Sequence, residues 1–67
     1  MARTIEESVT VRKILADGER LFVSFYEHDG YFELTDPAQK VPLDAALSDG
    51  RTVHITADAE LRILALR

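Results

Sequence analysis

The sequence predicts an all-β chain with one short helix, its five strands ordered β-β-β-α-β-β and closed into a small barrel. Three observations predict it. Val, Ile, Phe, Tyr and Thr cluster in short alternating runs, the pattern of half-buried strands. Asp17-Gly18, Asp29-Gly30 and Asp49-Gly50 punctuate those runs, and Gly tolerates the positive φ that tight turns need. A single Ala/Leu segment at helical spacing interrupts the strands after the third.

The first strand is expected over residues 4–15. Val9 and Val11 alternate with Ser8, Thr10 and Arg12, and Ile14-Leu15 breaks the alternation. A three-residue loop at Asp17-Gly18-Glu19 would pair Leu15 with Leu21 and Val11 with Phe25. That register turns Lys13 inward, so a bulge near Arg12-Lys13 is expected to relieve it.

The second and third strands form the central hairpin, 21–35. An Asp29-Gly30 two-residue loop would set His28 opposite Tyr31, Tyr26 opposite Glu33, Phe25 opposite Leu34 and Ser24 opposite Thr35. Leu21, Val23, Phe25, Phe32 and Leu34 then share the core face. Phe22, Ser24, Tyr26, His28, Tyr31, Glu33 and Thr35 share the other.

Asp36-Pro37-Ala38-Gln39 has the residues of a capped helix start: Asp as N-cap, Pro at the first helical position, and Gln where a capping box closes. Pro42 disfavours helical geometry at Val41, which predicts one turn or a loop over 36–40 and a separate short helix over 43–47. Leu43, Ala46 and Leu47 share its apolar face, and Gly50 suits the left-handed position after it. So short a helix needs tertiary support and is expected to plug one barrel end. Thr52-Val53-His54-Ile55-Thr56 is the fourth strand, with Val53 and Ile55 inward. Residues 57–60 turn, and 61–66 close the chain, with Leu64 and Leu66 on the Arg62 side.

A helix between the third and fourth strands is the OB-fold arrangement, a five-stranded Greek-key barrel. An SH3-like barrel is the alternative. The second half also resembles small bacterial OB-fold proteins related to the B subunits of secreted toxins. The resemblance is carried by Val23 and Phe25, Phe32 and Leu34, the run Leu43-Asp44-Ala45-Ala46-Leu47-Ser48-Asp49-Gly50-Arg51-Thr52-Val53-His54-Ile55, and Leu61-Arg62-Ile63. It implies an OB barrel that oligomerises through its edges.

At 67 residues the chain is expected to form one domain, 1–67. Its core is thin, and without cysteine it cannot be stapled by disulfides. That leaves a compact core alone or a core completed by a partner subunit, and self-association is the expectation. The net charge of -4 argues against tight binding of nucleic acid, which rewards a basic surface. Of the bases, only Arg12 and Lys13 are adjacent. No apolar run is long enough to span a membrane, and residues 1–8 show no apolar leader segment. A cytoplasmic protein is expected, with a mature secreted form left open.

No enzyme activity is expected. There is no G-x-S-x-G motif, Ser24 and His28 lie too far apart along one strand, and Glu6-Glu7 point to opposite faces. Two histidines are too few to build a closed metal site unaided, and no cofactor is expected. The candidate binding residues are Phe22, Tyr26, His28, Tyr31 and Glu33 on the outer face of the hairpin, with Ile14 beside them if the three-residue loop holds. Rings there can stack on sugars or bases, or fill a protein interface. Glu27, Asp29 and Glu33 around them oppose a phosphate backbone. The expected function is a non-catalytic interaction module, self-associating or binding a protein partner through this aromatic face. The alternative is a monomeric OB-fold domain taking an oligosaccharide or single-stranded nucleic acid on the strand 2–3 face.

Overall fold

The elements of the computed structural model, which describes residues 3–67, follow the expected order. They are β1 (Thr4–Asp17), β2 (Arg20–Phe25), β3 (Phe32–Leu34), a 3-10 turn (Pro37–Gln39), α1 (Lys40–Asp49), β4 (Thr52–Asp58) and β5 (Arg62–Leu66). The strands close as a ring, β1-β2-β3-β5-β4, with β4 returning to β1. β3 and β5 run parallel, and the other neighbours run antiparallel. This is a five-stranded barrel with its helix between the third and fourth strands, the OB-like arrangement.

β1 serves two neighbours because it bends. Residues 4–10 pair with β4 and residues 11–17 with β2. The expected bulge marks the change: Val11 faces Phe25, but Lys13 faces Ser24, leaving Arg12 as the extra residue. The expected pairing of Leu15 with Leu21 does not form. Asp17 faces Arg20, so the loop is only Gly18-Glu19, and Leu15 faces Phe22. Gly18, at φ 63°, makes the shorter turn possible. Ile14 therefore faces Val23 and packs against the core instead of joining the outer rings.

The tight turn at Asp29-Gly30 is also replaced. β2 ends at Phe25, β3 begins at Phe32, and residues 26–31 form a longer loop. Phe22 faces Glu33 and Val23 faces Phe32. The expected pairs Tyr26 with Glu33, Phe25 with Leu34, His28 with Tyr31 and Ser24 with Thr35 give way. The cause is competition: the Tyr26 N–H donates to the Thr10 carbonyl of β1 at 3.1 Å and is lost to β3. The slip is even-numbered, so the residues that stay in the two strands keep their faces. Val23, Phe25, Phe32 and Leu34 are all buried, with Leu21 packed against them. Phe25 and Phe32 meet edge to face at 5.3 Å.

The capping box forms as expected: Asp36 accepts from the Ala38 N–H at 2.9 Å, and the Gln39 side chain accepts from the Asp36 N–H. The predicted break at Val41 does not occur. Pro42 falls within the first turn of α1, where backbone N–H groups have no intrahelical acceptor, so its ring removes no bond. Gly50, at φ 67°, ends the helix. Leu43 and Ala46 enter the core, while Leu47 stays exposed. On β4, Val53, Ile55 and Ala57 point inward. On β5 a bulge skips Leu64: Ala57 faces Ile63, and Ile55 faces Leu66. Leu66 thereby turns to the core, and Leu64 alone remains outside. No helix is long and apolar enough to cross a membrane among the described residues.

Candidate functional site

The expected aromatic face splits into three parts. Phe22 and Glu33 are both on the outer surface, as expected, and the shifted register sets them side by side. Arg20 occupies both. Its guanidinium donates to the two Glu33 carboxylate oxygens at 2.9 Å each and lies 5.1 Å from the Phe22 ring centre. The hydrogen bond from Arg20 holds the Glu33 carboxyl below the usual carboxylate range. Glu33 is thus committed to its own barrel.

Tyr26, His28 and Tyr31 belong to the 26–31 loop. Glu27 anchors that loop to the bend in β1. Its carboxylate accepts from the Thr10 N–H at 2.8 Å and from the Thr10 hydroxyl at 2.9 Å. The backbone bond is the main reason its carboxyl titrates below the usual range. His28 turns away from the tyrosines. It packs edge-on against Phe32 at 5.5 Å, and its Nε2 meets the Glu7 carboxylate. Glu7 faces Ile55, at an inward position of β1, while its neighbour Glu6 points outward. His28 is thus drawn to the barrel by an apolar edge and an acid. Tyr26 and Tyr31 remain 70% and 43% exposed, and Leu15 is 38% exposed beside Phe22.

Between the bend and the loop lies a recess of about 170 Å³. Arg12, Lys13, Ser24, His28, Asp29 and Tyr31 line it. The bulge explains why two consecutive cations reach one side. Alternation counted from buried Val11 puts Arg12 outward, and alternation counted back from Ile14, which faces Val23, puts Lys13 outward as well. Ser24, opposite Lys13, is the buried polar residue of the described chain. Ser24 and His28 share this recess despite their spacing along the chain, because the loop doubles back. No hydrogen bond joins them among the described residues, and the imidazole is engaged with Glu7. Arg20, Lys40, Arg51 and Arg62 each have an acidic partner. Arg12 and Lys13 have none among the described residues.

Compared with family models, curated proteins and solved structures, this chain matches none. The site is therefore read from its own geometry. Sequence reasoning placed Phe22, Tyr26, Tyr31 and Glu33 on the outer surface, where they lie, and overlooked the recess. The signal was present in the adjacent pair Arg12-Lys13 at an expected bulge.

Proposed function

We propose that this chain is a non-catalytic barrel module that binds another copy of itself through the outer face of β1 and β2 and the 26–31 loop. One observation carries the reading: Leu15 on β1 and Tyr26 and Tyr31 on the loop that follows β2 are all large and all exposed. Exposed apolar surface of this kind on a small domain marks a contact site. Tyrosine suits it, since the ring buries area while the hydroxyl keeps a hydrogen bond. A second reading, a monomeric barrel taking an oligosaccharide or single-stranded nucleic acid, draws on the cationic recess beside Tyr31. Asp29, in the lining of the same recess, opposes a phosphate backbone.

Sedimentation of the parent and of Leu15→Ser with Tyr26→Ser separates the two. Self-association predicts a parent dimer and a folded, monomeric variant. A parent that is monomeric at sub-millimolar concentration defeats it.

A further inference from the structure

We infer that the recess between the β1 bulge and the 26–31 loop is a binding site for a small oxyanion of the phosphate or carboxylate class. The recess lies on the face proposed above for self-association, so the anion site belongs to the monomeric form of the barrel. Twelve acids and eight bases make this an acidic chain, in which spare carboxylates are plentiful. Yet Arg12 and Lys13 form no ion pair among the described residues, while Arg20, Lys40, Arg51 and Arg62 do. Arg3 and Arg67, near the two ends of the chain, form none either, but only Arg12 and Lys13 are brought together: the bulge delivers both to the same side, where they border a concavity rather than a flat surface. Ser24 and Tyr31, both hydroxyl-bearing residues, belong to the same lining. A guanidinium, an ammonium and two hydroxyls are the donors an oxyanion uses, and an arginine fork matches its paired oxygens.

The other charged and titratable groups at the recess set its limits. Asp29 lines it and opposes an anion; His28 lines it and is held by Glu7. Two cations against one lining carboxylate leave a positive balance. The volume of about 170 Å³ exceeds that of one water and accommodates a tetrahedral anion with part of its hydration shell.

The experiment follows backbone amide NMR shifts while inorganic phosphate, sulfate or acetate is added at constant ionic strength, since exposed charges are screened by salt. Phosphate or acetate is expected to move the amides of Arg12, Lys13, Ser24 and Gly30 saturably. The stronger of the two identifies the chemical source, and either supports the site. Arg12→Gln and Lys13→Gln should each weaken binding about tenfold while the spectrum stays that of a folded barrel. Asp29→Asn should tighten it, an effect that a structural role for these residues would not produce. The Leu15→Ser, Tyr26→Ser variant should bind at least as well as the parent, because neither residue lines the recess and loss of self-association leaves it open. The inference is overturned if no anion gives localised shifts, if Arg12→Gln and Lys13→Gln together leave them intact, or if Asp29→Asn abolishes them.

Discussion

Phe25 and Phe22 stand three positions apart on one strand with opposite roles. Phe25 is fully buried, in edge-to-face contact with Phe32 at the centre of the barrel. Phe22 is half-buried on the outside, with the Arg20 guanidinium over its ring. Removing a buried aromatic side chain costs the lost transfer energy and the cavity left behind. Phe25→Ala is therefore expected to cost about 3–5 kcal/mol, a large share of the stability of a small domain. Phe22→Ala removes partly hydrated surface and one cation–π contact, for about 1–2 kcal/mol. Urea unfolding of both variants checks the assignment, and a larger cost at Phe22 than at Phe25 would mean that β2 presents the opposite face to the core.

At the scale of elements, α1 and the turns decide where the strands meet. The helix closes through Gly50, whose N–H donates to the Ala46 carbonyl in a left-handed conformation. A side chain added there meets nothing within 4 Å, so any penalty comes from φ alone. Gly50→Ala is expected to cost about 1–2 kcal/mol, and Gly50→Asn less, because Asn tolerates that region. A thermal melt comparing the two tests this, and equal melting temperatures for both and the parent would refute it. The turn from β4 to β5 uses another device. Leu61 itself sits at φ 63°, held between Asp58 and Arg62. The Asp58 carboxylate accepts from the Glu60 and Arg62 N–H groups and from the Arg62 guanidinium.

For the whole molecule, three carboxylates guard three junctions of the ring. Glu27 fastens the 26–31 loop to β1, Glu33 joins β3 to Arg20 of β2, and Asp58 holds the turn between β4 and β5. Each titrates below its ordinary range: Glu27 mainly through the Thr10 N–H, Glu33 through the Arg20 guanidinium, and Asp58 through the Arg62 N–H. A carboxyl whose folded pKa is depressed stabilises fully above its unfolded value. That stabilisation is lost as pH falls through the folded value. Stability is therefore expected to be level near neutrality and to decline once pH drops below about 4.5, the ordinary carboxylate range. Urea midpoints across pH 7 to 3 measure it. The triple variant Glu27→Gln, Glu33→Gln, Asp58→Asn should show a shallower decline, and an unchanged slope would show that other acids govern it.

Pattern alone determined the five strands and the helix in their order, the inward set Val9, Val11, Val23, Phe25, Phe32, Leu34, Val53 and Ile55, the Asp36 capping box, the Gly50 stop and the bulge at Arg12-Lys13. These depend on local periodicity, on backbone preferences of Pro and Gly, and on which side chains avoid water. Tertiary structure decided the pairings. Thr10 drew Tyr26 and Glu27 away from β3 and turned a two-residue hairpin into the 26–31 loop. A second bulge at Leu64 turned Leu66 inward. Glu7 and Phe32 claimed His28. Each outcome is a competition between partners distant in sequence, which no local window can rank. The recess arises the same way, because its two cations and its loop residues converge only after the ring has closed.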